Sequence, residues 1–168
     1  MKILLAVDGS PCSDKAVEEV GRRPWPGGSE IKVLTTHELP LSALPEGWAM
    51  PPTYFEELDR VASQHALLTM ERAVSKLRST LEPNVTVTGE IASGPARSMI
   101  LDEAQDWGAD LIVVGSHGYG ALERFLLGSV SQSVVAHAKC SVEVVRCPSG
   151  PTLEEATVAK GKEPWPKS

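Results

Sequence analysis

The amino-acid sequence predicts an α/β fold, a single-domain α/β/α sandwich built on a five-stranded parallel sheet. Short apolar runs typical of buried strands alternate along the chain with longer segments of helical periodicity. This order is typical of a parallel sheet with helices on both faces. The chain has 168 residues, enough for one domain with its own core. The five predicted strands are residues 2–7, 31–36, 85–92, 111–114 and 141–146.

The first strand and the first helix are joined by a short turn. Residues 2–7 (KILLAV) are mostly apolar and are followed directly by Asp8. Ser10 suits the N-cap of a helix, and Pro11 suits its first helical position. The prolines and glycines of residues 22–28 predict where this helix ends.

The second strand leads into a long proline-rich segment. His37 and Glu38 follow the strand, and residues 38–52 contain several prolines and large apolar side chains. A connection of this length is uncommon in a compact domain unless it has a function. We expect this variable loop either to pack as a cap on the domain or a partner subunit, or to cover a ligand as a lid.

A long helix is predicted before the third strand. Thr53 and Glu56 have the spacing of a capping box, so the helix is expected to begin there and to run to about Leu81. Its apolar residues recur every three or four positions, and this face is expected to meet the core. The residues of that face are Phe55, Leu58, Ala62, Ala66, Met70, Ala73, Leu77 and Leu81.

The second half of the chain predicts two more helices, each followed by a strand. The first of them ends at Gly108, before the fourth strand. Ser129 and Gln132 form another capping box, for a helix that leads to the last strand. Residues 148–168 are polar and rich in proline, and they are expected to form a tail that is either disordered or docked as an arm.

Composition narrows the classes of function. The formal charge of -6 argues against nucleic acid as the main partner, because such binding depends on lysine and arginine contacts to phosphates. No apolar run approaches the roughly 20 residues of a membrane-spanning helix. The apolar run at the N-terminus is too short for a signal peptide. These observations predict a cytoplasmic protein with no membrane partner.

The cysteine content argues against a disulfide framework or a zinc site. The chain has three cysteines, Cys12, Cys140 and Cys147, an odd number without a CxxC motif. They are expected to act as small buried or half-buried apolar side chains. A redox role is the alternative for Cys12, because a helix N-terminus lowers the pKa of a thiol.

Several strand ends are predicted to meet at one crevice. Ligands of parallel α/β sheets bind beyond the carboxyl ends of the strands, where the strand order reverses. Asp8, the pair His37 and Glu38, and Gly115 each follow or end a predicted strand. Three separate segments of the chain therefore converge on one predicted ligand site.

The segment after the fourth strand indicates phosphate binding. Gly115 ends the strand, Gly118 follows, and after nine more residues Gly128 and Ser129 open a helix. Glycines let backbone N–H groups approach a ligand, and a helix N-terminus attracts anions. The spacing is neither a GxGxxG motif after the first strand nor a GxxxxGK[ST] motif.

Taken together, these motifs resemble those of the universal stress protein family, in its ATP-binding subclass. The pattern G-2x-G-9x-G-[S/T] marks that subclass, and Gly115, Gly118, Gly128 and Ser129 match it in full. The first strand with its turn, the fourth strand and the last strand agree as well. The resemblance implies a universal stress protein domain over residues 1–147, with a fold like that of the adenine nucleotide α-hydrolases.

The resemblance implies an ATP site, with Mg²⁺ or Mn²⁺ carried in by the nucleotide. Asp8 would face the adenine, the backbone after the second strand would border it, and the glycine motif would hold ribose and phosphates. Ser131 would lie near the terminal phosphate, and Arg124 would either approach the phosphates or remain a surface charge. The implied binding residues are Ala6, Val7, Asp8, His37, Glu38, Gly115, Gly118, Arg124, Gly128, Ser129, Val130 and Ser131.

The predicted function is that of a nucleotide-dependent regulatory module in a stress response, with little or no hydrolysis. Phosphoryl transfer needs a metal holder and positive charge at the γ-phosphate, and no lysine directly follows the glycines of the motif. His117 is more simply a solvated loop side chain than a catalytic base. The alternatives are a slow ATPase or adenylate-handling enzyme, and a partner-binding dimer with a vestigial pocket. The resemblance also implies a homodimer through residues 141–146 and a further, unknown protein partner.

Overall fold

The computed structural model describes residues 1–38, 52–118 and 127–147. In these ranges strands and helices alternate, and every strand boundary lies within one residue of its predicted position. The elements are β1 Lys2–Ala6, α1 Pro11–Arg22, β2 Glu30–His37, α2 Pro52–Thr80, β3 Thr86–Ser93, α3 Ala96–Trp107, β4 Leu111–Gly115, α4 Ser129–His137 and β5 Ser141–Val145.

The strands form one parallel sheet in the order β3-β2-β1-β4-β5. The chain first adds strands on one side of β1 and then crosses to the other side, so the strand order reverses between β1 and β4. Ala6, the last residue of β1, lies opposite Leu34 of β2 and Val114 of β4. The predicted α/β fold with a five-stranded parallel sheet is confirmed.

Helices cover both faces of the sheet, as the alternation of elements predicts. On one face Ile3 and Leu5 of β1 pack with buried residues of α1 and α2. On the other face Leu4 packs with Ile100 of α3 and Val134 of α4. Successive side chains of a strand point to opposite faces, and this explains why a strand buried on both sides is continuously apolar.

The helix ends agree with the sequence at two positions. Ser10 is the N-cap of α1, and its hydroxyl accepts a hydrogen bond from the backbone N–H of Ser13. Gly108 follows α3 with a φ of 71°, the left-handed conformation that glycine adopts without steric cost.

Both predicted capping boxes are wrong, because Thr53 and Ser129 are helical residues and not N-caps. Helix α2 begins at Pro52, a residue type suited to the first helical position, so Thr53 already lies within the helix. Helix α4 begins at Ser129, and Gly128 is its N-cap. The N–H of Gly128 donates to the carbonyl of Ser116, and this bond fixes the residue that precedes the helix.

The predicted core face of α2 is confirmed only for its second half. Ala66, Ala73 and Leu77 are buried, whereas Leu58 is exposed. A helix of 29 residues is about 43 Å long, while the eight-residue strands β2 and β3 span only about 26 Å. The N-terminal half of α2 therefore extends past the sheet that would cover its apolar face.

The expectation that the cysteines form no disulfide is wrong. Cys12 in α1 and Cys147 after β5 form a disulfide, with their Cα atoms 4.9 Å apart. Their sequence separation of 135 conceals this proximity in the sequence. The packing of α1 against β4 and β5 brings the start of the helix next to the end of the last strand. Cys140 is a free, half-buried cysteine.

Some predictions fall outside the described residues. They concern most of the proline-rich loop at 38–52, Arg124, and the tail at 148–168. The roles expected for these segments, and the domain boundary at residue 147, stay predictions. Within the described part of the chain, no helix is both long enough and apolar enough to cross a membrane.

We expect Leu77→Ala to lower the free energy of unfolding by about 2–5 kcal/mol, because it leaves a cavity in the core. Leu77 is fully buried, whereas Leu68 on the same helix is 59% exposed. Leu68→Ala is therefore the matched control and should cost less than about 0.5 kcal/mol. Urea unfolding followed by circular dichroism measures both values, and equal losses would contradict this account of the core.

Candidate functional site

A cavity of about 580 Å³ opens beyond the carboxyl ends of β1 and β4, where the strand order reverses. This volume lies within the range of roughly 300–1,000 Å³ that is typical of small-molecule sites. The ends of β1, β2 and β4 and the first turns of α1, α3 and α4 contribute to its walls. The cavity therefore occupies the position predicted for the crevice.

One wall of the cavity is apolar. Ala6, Leu34 and Val114 contribute to it from three adjacent strands, and Ile100 contributes from α3. All four belong to, or pack against, the core cluster between the sheet and the helices α3 and α4. Because this wall combines neighbouring strands with a helix, it suits the flat apolar face of an aromatic ring.

Asp8 provides a carboxylate at the edge of this wall. Its Oδ1 atom accepts a hydrogen bond from the N–H of Ser10 at 2.9 Å. Its Oδ2 atom faces Gly118, and a Cβ atom placed on Gly118 would lie only 2.5 Å from that oxygen. A side chain at position 118 would therefore have to displace the Asp8 carboxylate from its present place.

A hydrogen bond joins the turn after β1 to the loop after β4. Gly9 has a φ of 82°, and its N–H donates to the hydroxyl of Ser13 at 3.0 Å. The hydroxyl of Ser10 donates to the carbonyl of His117 at 3.2 Å. Two segments distant in sequence are thereby held as one rim of the cavity.

The N-terminus of α4 faces the cavity. Its first residues Ser129, Val130 and Ser131 line the cavity, and no described side chain caps the helix at Gly128. The first N–H groups of a helix have no partner within the helix, and they attract anions. The hydroxyl of Ser131 donates to the carbonyl of Gly115 at 2.6 Å, which ties the helix to the end of β4.

Most of the residues predicted for the site line this cavity. They are Ala6, Val7, Asp8, Gly115, Gly118, Gly128, Ser129, Val130 and Ser131. His37 lies at the end of β2 with its Nε2 atom 3.3 Å from the hydroxyl of Ser63, and Glu38 is exposed. Neither is among the lining residues, although Thr36 beside them is. Arg124 lies outside the described residues, and all these binding roles remain predictions.

Other lining residues were not identified from the sequence. Leu34, Thr36 and Val114 lie near the carboxyl ends of predicted strands, so their position in a strand could have indicated them. Ala96 and Ile100 belong to α3, and no sequence signal gives the tilt of that helix toward the sheet. The remaining lining residues that were missed are Ser13, His117, Leu127 and Gln132.

The N–H groups at the start of α4 suit an anionic group, and the apolar wall suits a ring on the same ligand. Backbone N–H groups at a helix N-terminus bind phosphates without any cationic side chain. Lysine and arginine are absent from the described lining residues. In the same part of the chain, no group of three or more histidine, cysteine, aspartate or glutamate side chains is placed to hold a metal ion.

Solved structures similar to this one include proteins with bound nucleotides. The hypothetical protein MJ0577 aligns with a TM-score of 0.76 and 26% identity, over 89% of this chain and 97% of that one. A universal stress protein family protein of Arabidopsis thaliana, solved with AMP bound, aligns with a TM-score of 0.63 and 20% identity, over 89% and 93%. The Archaeoglobus fulgidus universal stress protein in complex with dAMP aligns with a TM-score of 0.52 and 23% identity, over 86% of this chain and 97% of that one.

Sequence comparison identifies the family. The family model for the Universal stress protein family matches residues 1–146. Universal stress protein A homolog 2 of Coxiella burnetii is 53% identical over 146 residues, which cover 86% of this chain and 94% of that protein. Universal stress protein Mb2019 of Mycobacterium bovis is 31% identical over 152 residues, and this match covers 85% of the chain but only 47% of that longer protein. The chain belongs to the universal stress protein family.

Proposed function

We propose that the cavity between β1 and β4 binds ATP, and that the protein acts as a nucleotide-dependent regulatory module in a cytoplasmic stress response. The observation that carries this proposal is that one cavity combines an apolar wall with a helix N-terminus that no described side chain caps. These two features suit the two ends of a nucleotide. The AMP and dAMP bound to structural neighbours support an adenine nucleotide as the ligand.

In this proposal the adenine lies on the apolar wall beside Asp8. A carboxylate accepts hydrogen bonds, and the amino group of adenine donates them. Guanine carries a carbonyl oxygen at the corresponding position, so Asp8 favours adenine over guanine. The backbone at His37 and Glu38, which directly follow the lining residue Thr36, would border the base.

The phosphates are proposed to lie at the N-terminus of α4. Gly115, Gly118 and Gly128 allow the backbone to come close, and the first turn of the helix supplies N–H donors. Ser131 would lie near the terminal phosphate, and Arg124 would approach from the loop. Mg²⁺ or Mn²⁺ would enter with the nucleotide, bound mainly to its phosphates.

Little or no hydrolysis is part of the proposal. Phosphoryl transfer is accelerated by cationic groups that meet the charge developing on the γ-phosphate, and the described lining residues include neither lysine nor arginine. A slow ATPase is the second candidate, because Asp8 and His117 place a carboxylate and an imidazole on the same cavity. Steady phosphate release that His117→Ala abolishes would establish the second candidate instead.

We expect the purified protein to bind ATP saturably in calorimetry and to release an adenine nucleotide on denaturation, detected by mass spectrometry. Gly118→Val should weaken ATP binding at least tenfold, about 1.4 kcal/mol, because its side chain would displace the Asp8 carboxylate. Gly27→Ala is the control, since its Cβ would meet only the side-chain nitrogen of Asn84 at 3.3 Å. The proposal would be contradicted if the unaltered protein did not bind ATP, or if Gly118→Val bound ATP with unchanged affinity.

Asp8→Ala should weaken ATP binding about tenfold and narrow the preference for ATP over GTP, because a hydrogen bond to a charged group contributes roughly 1.5–3 kcal/mol. Asp14→Ala is the matched control, since Asp14 lies on the exposed side of α1 and pairs with Arg72 at 3.1 Å. Competition titrations with ATP and GTP measure both effects. An unchanged ATP-to-GTP ratio in Asp8→Ala would exclude the proposed contact with the base.

We also propose a homodimer through residues 141–146, with an unidentified protein partner that responds to the bound nucleotide. Strand β5 is the edge of the sheet and pairs only with β4 among the described strands. Exposed strand edges readily pair with a second chain. Sedimentation equilibrium should therefore give about 36 kDa, twice the chain mass of 18.0 kDa. A mass of one chain at micromolar concentration would exclude the dimer.

A further inference from the structure

The Cys12–Cys147 disulfide joins the start of α1 to the chain just beyond β5. Cys12 is the second residue of α1, and Cys147 follows the last residue of β5 by two positions. The bond therefore connects two segments that flank the carboxyl end of β4, where the cavity lies. The proposed nucleotide site does not itself use the bond.

The disulfide is anchored directly beside the cavity wall. A Cβ atom placed on Gly115 would lie 2.8 Å from the carbonyl carbon of Cys12, so the two backbones are in contact. The next residue, Ser13, lines the cavity, and its hydroxyl accepts the N–H of Gly9. A movement of Cys12 would therefore be transmitted to the turn after β1.

The surroundings of the two sulfur atoms differ, and this difference favours thiol–disulfide exchange by attack on Cys147. Cys12 is buried near the N-terminus of a helix, whose dipole stabilises a thiolate, and the hydroxyl of Ser116 donates to its Sγ atom at 3.7 Å. Cys147 is half-buried and is the more accessible of the two. A stabilised thiolate is the better leaving group in thiol–disulfide exchange. An incoming thiolate should thus attack Cys147 and release Cys12.

We propose that the Cys12–Cys147 bond is a reversible thiol–disulfide exchange site that sets the nucleotide affinity of the adjacent cavity. The exchange chemistry stands on the disulfide and its surroundings, while the effect on affinity rests on the proposed nucleotide site. The reaction partner is a protein or small molecule that carries two thiols.

The exchange proceeds in two balanced steps. A thiolate of the dithiol attacks the Sγ atom of Cys147, the bond between Cys147 and Cys12 breaks, and Cys12 leaves as a thiolate. The second thiol of the reductant, once deprotonated, then attacks the reductant sulfur that is bonded to Cys147. The mixed disulfide breaks, and Cys147 leaves as a thiolate. The reductant becomes a disulfide, and the two electrons it loses are those gained by the two cysteines. An oxidised dithiol reverses both steps.

Reduction should weaken nucleotide binding. In the oxidised protein the start of α1 is tied to the segment after β5. The carbonyl of Val145, the last residue of β5, accepts the N–H of Ser116 at 2.7 Å. This arrangement holds Asp8 and the loop after β4 in place before the ligand arrives. A site that is ordered in advance loses less entropy on binding. We expect the reduced protein to bind ATP at least about fivefold more weakly, within the usual range of coupling between two sites.

The test uses the full chain carrying Cys140→Ser, which leaves Cys12 and Cys147 as its cysteines. Burial raises the pKa of the Cys140 thiol, so its removal eliminates a slow background reaction. Maleimide labelling followed by mass spectrometry should count no thiols in the oxidised protein and two after dithiothreitol. Glutathione, a monothiol, should leave its mixed disulfide on Cys147, identified in a peptide digest.

ATP affinity is then measured by calorimetry for both redox forms, with Cys147→Ser as the control that cannot form the bond. We expect the oxidised form to bind ATP more tightly than the reduced form. Cys147→Ser should bind ATP with the affinity of the reduced form, and dithiothreitol should not change that affinity. Equal affinities in both forms would overturn the inference and leave the nucleotide site standing. A bond that resists dithiothreitol in the folded protein, or a mixed disulfide on Cys12, would overturn the exchange site. Absent ATP binding in both forms would instead overturn the proposed function and with it the control of affinity.

Discussion

The close packing of α1 against the end of β4 is the contact on which the candidate site depends. Gly115 ends β4, and a Cβ atom there would lie 2.8 Å from the carbonyl carbon of Cys12 and 2.9 Å from the nitrogen of Ser13. Both neighbours are backbone atoms, which cannot rotate away as a side chain can. Any side chain at position 115 would therefore push the start of α1 away from the sheet. That shift would separate Asp8 from Gly118 and change the cavity between them.

The same region shows how backbone groups shape the side of the cavity formed by the loop after β4 and the start of α4. The N–H of Gly128 donates to the carbonyl of Ser116, and the hydroxyl of Ser131 donates to the carbonyl of Gly115. These bonds return the chain to the sheet after the loop and orient the first turn of α4 toward the cavity. Donors that belong to a helix backbone are fixed by the fold itself, so they need little further ordering when a ligand binds.

This dependence on the main chain explains which parts of the site could be predicted. Gly115, Gly118 and Gly128 are a local motif, since a backbone that must come close to a ligand or to another segment selects glycine at fixed positions. Strands β1 and β4 were equally predictable, because burial on both faces demands a continuous apolar run. Asp8 could be predicted because a strand end in a parallel sheet has a known place relative to the ligand crevice.

The features that escaped prediction depend on distances between remote segments. Ile100 reaches the cavity because α3 packs over the sheet at an angle that its own periodicity does not give. Cys12 and Cys147 meet because α1 crosses toward β5, and no spacing of cysteines encodes that contact. The exposed half of α2 follows from the difference in length between a helix and the strands beneath it, although its apolar pattern is continuous.

The distribution of charged groups bears on the proposed function of the cavity. The chain carries a formal charge of -6, and several of its cations are engaged by carboxylates away from the cavity, such as Lys32 with Glu103 and Arg23 with Glu143. An anionic ligand in this cavity would therefore be attracted mainly by helix and loop N–H groups at short range, since water and salt screen distant charges within about 10 Å. Such donors bind the phosphates of a bound nucleotide before any reaction begins. Catalysis requires interactions that become stronger in the transition state, and a lining without lysine or arginine in its described part offers few of them. The electrostatics of the described residues thus agree with the proposal that this cavity holds a nucleotide rather than cleaving it.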